Sequence, residues 1–265
     1  MQGTKNNEQL SGENAAFQLS AMTVLGDRSD QQDSFGFSLK EKEGLAIVCD
    51  GMGGLRAGKQ ASSCTVQRSL QQYLLQKPDA ADTAFLLDCA RQSNALVRSM
   101  KDSRGRHIHA GTTSVSVLIR NQNLYWVSVG DSRGYLFRQG QYIQFTQDHT
   151  YRTVLDGQRH AGRIDHQQYL QESKRAEALI SYIGMEPLDL IDYSQNFLPL
   201  QHGDKILLMS DGLYKLVGDA EISRVIHNFT NIQEALRALE MKANQRAAHD
   251  HIRRDNMTLI LIQMK

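Results

Sequence analysis

Four apolar runs in this chain abut an aspartate, and a fifth short stretch near the start carries another. The runs are Leu45 to Cys49 before Asp50-Gly51-Met52-Gly53-Gly54, Tyr125 to Val129 before Gly130-Asp131-Ser132-Arg133, Ile206 to Met209 before Ser210-Asp211-Gly212, and Met257 to Ile262 after Asp255-Asn256. The fifth stretch is Arg28-Ser29-Asp30-Gln31-Gln32-Asp33. A carboxylate at the end of a core strand is costly to hold unless something positive balances it, and several that converge repel one another. Divalent cations bound through oxygen, Mg²⁺ or Mn²⁺, are the natural counter-charge. The pattern therefore asks for a fold that gathers these strand ends at a single metal site.

The order of elements narrows that fold. Short strand patterns occur at Phe17 to Leu25, Ser34 to Phe37 and Leu45 to Cys49. Two helical faces follow, one through Val66, Leu70, Tyr73 and Leu74, the other through Leu86, Ala90, Val97 and Met100. Strands return at Val115 to Ile119, Tyr125 to Val129 and Arg133 to Arg138, with Asn121-Gln122-Asn123 as a hairpin turn. From about Thr150 to Leu179 the chain is polar, a helix followed by a mobile excursion. A strand at Lys205 to Met209, helical faces at Ile222 to Ile226 and Ile232 to Ala243, and the last strand complete the order. Regular βαβ alternation is missing, which argues against a parallel doubly wound sheet. Two antiparallel sheets packed face to face, with helix pairs on the outer faces, would bury all of these runs.

Composition sets limits on function. The 265 residues carry a formal charge of +1, so there is no global pull toward nucleic acid or an anionic membrane, and any phosphate recognition must be local. No run reaches the roughly 20 apolar residues of a bilayer span, and the polar start lacks a signal-peptide core. Residues 1–15 are expected to form a flexible tail and residues 16–265 a single domain. The three cysteines, Cys49, Cys64 and Cys89, form neither a disulfide framework nor a zinc ribbon and read as buried free thiols. A reducing cytoplasm and a monomer are the expectations.

Each aspartate alone has an ordinary explanation, since Asp-Gly turns are common at strand ends. The set is what points to chemistry. After Asp50, glycines allow the backbone to approach a ligand and expose its carbonyls. No Gly-Lys-Ser/Thr follows them, which excludes a nucleotide-binding loop. Nine histidines show no paired zinc spacing, and most have a local structural explanation; His166, in the polar excursion, is a candidate for a place near substrate.

With these stretches, and with Ala57-Gly58, Ala61-Ser62, Gly111-Thr112-Thr113 and Thr146-Gln147-Asp148-His149, the chain resembles the metal-dependent PPM (type 2C) serine/threonine protein phosphatases in their bacterial form. The resemblance runs from about Leu19 to the C-terminus. It implies an α+β fold, a four-layer α-β-β-α sandwich of two antiparallel sheets flanked by helix pairs. It implies that Asp50 bridges two Mn²⁺ or Mg²⁺ ions, with the Gly51 carbonyl on one and Asp211 and Asp255 on the other. Asp131 with Asp211 would hold a third, weaker ion. Asp33 would orient the attacking water, and Arg28 would bind the substrate phosphate, which suits a guanidinium fork. A flap beside the site would fall within about residues 162–179, where Arg163, Lys174 and Arg175 could meet a phosphoprotein. The implied partners are phosphorylated proteins and the pathway of a Ser/Thr kinase whose action the enzyme reverses.

Three departures from the family pattern stand out. Met52 replaces the histidine of eukaryotic members and cannot donate a proton, although bacterial members commonly share the methionine. Leu55 stands where a histidine is common, and Gln31 where asparagine is common. The competing reading is a catalytically silent phosphoprotein-binding module, which loss of ligand aspartates would mark; here all of them are present.

Overall fold

The structure, a computed structural model, describes residues 2–3, 7–53, 57–76 and 82–265. Gly54 and Leu55, both singled out in the sequence, lie outside the described residues. Two antiparallel sheets face each other. The first runs through Ser34–Leu39, Gly44–Cys49, Ser114–Arg120 and Asn123–Val129 as adjacent strands. The second has the order Gln141–Gln144, Arg133–Arg138, Lys205–Met209, Met257–Met264, Phe17–Val24, Glu8–Glu13.

Alternate side chains of each central strand go to different layers. Ile206 and Leu208 point into the space between the sheets with Val48, Val115 and Ile260. Leu207 and Met209 point the other way, onto the helices Asp219–Asn228 and Ile232–Asp250, where they meet Ile222, Ile226, Leu236 and Leu239. Leu45, Leu118 and Val127 likewise leave the first sheet to pack on Ala61, Leu86 and Val97 of the helices Ala57–Leu75 and Asp82–Arg98. Strands buried on both faces have no polar side, which is why Lys205–Met209 and Met257–Met264 read as nearly continuous apolar runs. Each large aliphatic side chain buried here contributes about 1.5–3 kcal/mol. The four-layer α-β-β-α sandwich is the architecture expected from the element order.

Strand register gathers the aspartates. Ser34 pairs with Cys49, Val48 with Val115, and Ser114 with Val129. Asp33, Asp50, Thr113 and the Gly130-Asp131 turn therefore leave the first sheet at the same end. In the second sheet Arg133 pairs with Met209, Met209 with Leu259, and Met257 with Val24. This puts Asp211 and Asp255 together at one end of that sheet. The Arg120–Asn123 hairpin closes on two residues, Asn121 and Gln122, both at positive φ (51° and 59°). Left-handed backbone at both central positions matches the twist of antiparallel strands.

Two expectations need correction. Part of the stretch expected to form a loose tail is an edge strand: Glu8–Glu13 pairs with Phe17–Val24 over six residues, Glu8 opposite Thr23 and Glu13 opposite Gln18. Its side chains are half-buried or exposed, so it carries no apolar period, and backbone pairing is what holds it. The polar excursion after the helix Tyr151–His160 also contains a second helix, His166–Glu172. Asp165 starts it with a capping box: its side chain accepts the Gln168 N–H while the Gln168 side chain accepts the Asp165 N–H.

Candidate active site

One cavity of about 440 Å³ opens where the two sheets end. Asp50, Gly51, Asp131, Asp211, Asp255 and Arg28 all line it. Met52, Gly53, Thr113, Lys215 and, from the polar excursion, Glu177 and Leu179 complete much of its wall. His166 is not part of it. Nor is Asp33, which is 1% exposed and sits behind the wall.

Local hydrogen bonds fix each carboxylate-bearing turn. Gly51–Met52 forms a short ladder with Gly111–Thr112. The Asp50 carbonyl accepts from the Thr113 N–H and the Thr112 hydroxyl, both at 2.8 Å, and the Asp50 N–H donates to Thr113 Oγ1 at 2.9 Å. Thr113 Oγ1 also contacts Ser132 Oγ at 2.7 Å, tying this turn to the one that bears Asp131. The Gly111-Thr112-Thr113 motif is thus the clasp on Asp50. On the far side of the Asp131 turn, the His149 N–H donates to the Gly130 carbonyl, and the Gly130 N–H donates to His149 Nδ1. Burial holds the His149 pKa below the ordinary histidine value, against the charges of Asp192 and Asp148, and so keeps an acceptor nitrogen available. Ser210 Oγ donates to Asp33 Oδ2 at 2.7 Å and accepts the Thr258 N–H at 2.9 Å. Asn256 bridges the Leu25 carbonyl and the Gln32 N–H.

Gly212 is needed for close approach. A Cβ there would lie 2.0 Å from the Asn256 carbonyl oxygen, so the Asp211 turn and the Asp255-Asn256 segment touch backbone to backbone. Gly51 is similar, with a hypothetical Cβ 2.2 Å from the Gly58 carbonyl oxygen.

The electrostatics of this cluster are unbalanced. Burial pushes the Asp50 carboxyl well above the usual range, and the charges of Asp33, Asp211, Asp131 and Asp255 push the same way. Burial, reinforced by Asp211, raises Asp131 to about 6 despite Lys215 and the Tyr214 hydroxyl. Asp33 is raised to about 7, again chiefly by burial, with hydrogen bonds from Ser210 and Thr258 opposing. Asp33 Oδ1 and Asp211 Oδ1 are buried without a hydrogen-bond partner. Carboxylates in mutual repulsion with orphaned oxygens form a donor set suited to hard divalent cations. Among the described residues the acidic groups do not converge into a ready-made three-ligand cage. Two of the carboxylates are held by cations instead: Asp255 by Arg28 Nη2 at 2.5 Å, and Asp211 Oδ2 by Lys215 Nζ.

Sequence reading missed Lys215 and Tyr214. The available signal was spacing: Lys215, the residue that caps the short helix Asp211–Tyr214, lies four residues after Asp211, a spacing that puts the two on one helical face.

Comparison with known proteins identifies the family. The family model "Protein phosphatase 2C" matches residues 11–156. The serine/threonine phosphatase stp of Listeria innocua is 28% identical over 242 residues, which are 89% of this chain and 91% of the relative. Among solved structures, the S. agalactiae serine/threonine phosphatase superposes with a TM-score of 0.77 at 26% identity, covering 94% of this chain and 100% of that one. The catalytic domain of the phosphatase PstP, solved in complex with two manganese ions, gives a TM-score of 0.73 at 25% identity over 94% of this chain and 98% of that one. The chain belongs to the protein phosphatase 2C family and is a protein phosphatase of its bacterial PPM form.

Proposed function

We propose that this protein is a Mn²⁺- or Mg²⁺-dependent phosphatase that hydrolyses phosphoserine and phosphothreonine monoesters in proteins, opposing a Ser/Thr kinase in the cytoplasm. The observation that carries this reading is the meeting of Asp50, Asp131, Asp211 and Asp255 with Arg28 on the wall of one cavity. The silent-module alternative loses its ground, since it needs ligand carboxylates to be missing. Among the described residues, no helix is long and apolar enough to cross a membrane.

Asp50, the Gly51 carbonyl, Asp211 and Asp255 would hold two ions, and Asp131 with Asp211 would border a third cation position. Bound divalent ions would neutralise the phosphate dianion and lower the pKa of water at the site. The chain's own residues set up the rest. Arg28, 57% exposed at the cavity rim, can turn its guanidinium from Asp255 to two phosphate oxygens. Thr112, Thr113 and Ser132 keep the Asp50 and Asp131 turns in fixed relation. Ser210 holds one oxygen of Asp33 and leaves the other buried without a partner behind the cavity wall, so any part Asp33 plays would be exerted on the groups in front of it rather than on substrate. Met52 has no proton to give, so the leaving alkoxide must take its proton from water or another side chain. A covalent cysteine intermediate is out of place: burial raises the Cys49 thiol far above the ordinary range and Cys89 to about 12.

The test is phosphate release from a phosphothreonine peptide with Mn²⁺, with EDTA, and with Asp211→Asn. Release that requires metal and is lost in the variant is the expected result. Equal release by Asp211→Asn, or none under any divalent metal, would overturn the proposal.

A further inference from the structure

Asp131 and Asp211 are the two carboxylates assigned above to a third, weaker cation, and each already has an oxygen committed to a neighbouring side chain. Asp211 Oδ2 is ion-paired with Lys215, while Asp211 Oδ1 is buried and unpartnered. The Tyr214 hydroxyl donates to Asp131 Oδ2 and to the Asp131 carbonyl, both at 3.1 Å. The Tyr214 ring is itself held, because the Arg133 guanidinium lies 3.7 Å from its centroid. Arg133 is in turn locked to Asp148 by bonds of 2.7 to 3.1 Å. Lys215 lines the cavity, and Asp211, Asp131 and Asp50 are the acidic groups that act on its ammonium.

We propose that the Lys215 ammonium is a tethered cation that takes the place of the third metal ion, so that this chain works with two ions and one lysine. The proposal rests on the metal-dependent reading above. Its physical basis is that a monovalent charge fixed at the third position balances Asp131 and Asp211 without the dehydration that a hard divalent ion resists. The i, i+4 placement makes the charge intramolecular, and therefore present at any metal concentration. Asp211 would keep its unpartnered oxygen for the ion shared with Asp255, while the other is held by lysine. Lys215 is on this account a charge-balancing residue, and its signature lies in metal stoichiometry rather than in turnover alone.

The test is titration of the metal-stripped full chain with Mn²⁺, followed by calorimetry and by the electron paramagnetic resonance signal of free Mn²⁺, without substrate. The wild type is expected to bind two ions. Lys215→Met should gain a third, bound at least tenfold more tightly than any further binding by the wild type. Lys215→Arg should stay at two, and the double variant Lys215→Met/Asp131→Asn should return to two. Lys215 is 43% exposed, so the single variants should fold, which circular dichroism would check. Three ions on the wild type, or identical stoichiometry and affinity in the wild type and a folded Lys215→Met, would overturn this inference and leave the metal-dependent reading standing. A wild type that binds no Mn²⁺ would overturn both.

Discussion

Replacing Gly212 by alanine should disable the enzyme without touching a single charged group. The new methyl carbon would sit 2.0 Å from the Asn256 carbonyl oxygen, 2.9 Å from its carbon and 3.1 Å from the Met257 Cα, all of them backbone. No flexible side chain is available to swing away. To reach the 3.4 Å of ordinary contact, the carbonyl oxygen would have to retreat by about 1.4 Å. Asp211 immediately precedes Gly212 and Asp255 immediately precedes Asn256, so the strain separates the two carboxylates assigned to one ion. A misplacement on the order of 1 Å at reacting groups costs about 100-fold, and overpacking of this kind costs about 1–3 kcal/mol of stability. Turnover of a phosphothreonine peptide at saturating Mn²⁺ should therefore fall by about two orders of magnitude, with a lowered melting temperature. Gly157→Ala is the control, since nothing lies within 4 Å of its added carbon and it sits exposed in the helix Tyr151–His160. That change should leave turnover intact and stabilise by about 0.5–1 kcal/mol. Gly212→Ala with turnover within twofold of wild type would refute the backbone-contact argument.

Asp50→Asn should abolish measurable turnover, a loss of at least about 100-fold, while the fold survives; full activity at saturating Mn²⁺ would contradict the ligand assignment. Arg28→Ala should raise KM for phosphopeptide by about 10- to 100-fold with a smaller change in kcat, since a charged hydrogen bond to phosphate is worth about 1.5–3 kcal/mol. Steady-state kinetics separate this from a role confined to the transition state, which would lower kcat at constant KM. Thr113→Val removes the acceptor of the Asp50 N–H and should cost about 1–3 kcal/mol in chemical denaturation. An unchanged unfolding midpoint would show that the clasp on Asp50 does not depend on this hydroxyl.

The central strands and the aspartates at their ends could be read because both signals are local. Leu45, Ala46, Ile47 and Val48 announce a strand, and Asp50 follows within two residues. The elements that could not be read bury little. Gln141–Gln144 is an edge strand with every side chain exposed, and His166–Glu172 has no buried residue. Neither carries an apolar period, since neither faces a core. Asp165 with Gln168 was the available sign of the second helix. The site's long-range contacts were hidden for a different reason. Arg28 and Asp255 are 227 positions apart, and Ser210 and Asp33 are 177 apart. Sequence spacing has no bearing on contacts made by strand register. Lys215 is the exception, four residues from Asp211, where a helical rule would have found it.

The carboxylates stay available to cations because the groups packed directly behind them are mostly uncharged. Thr112, Thr113, Ser132, Ser210 and Thr258 form a buried layer of hydroxyls and amides behind the carboxylates, and all five are at most 6% exposed. Hydroxyls can satisfy backbone groups and one carboxylate oxygen while adding no positive charge. A buried arginine or lysine in their place would satisfy the aspartates electrostatically and make a divalent ion redundant. Among the described residues, Arg28 and Lys215 reach the Asp255 and Asp211 carboxylates from the cavity rim, with 57% and 43% of their side chains exposed, whereas Lys59 reaches the Asp33 backbone carbonyl and the Ser34 hydroxyl. Positive charge thus reaches these aspartates from the solvent side, where Arg28 can let go of its partner and turn to a phosphate. The layer behind fixes position and leaves charge unspent. This division of labour lets the fold hold several carboxylates at the ends of buried strands and still leave them able to bind ions.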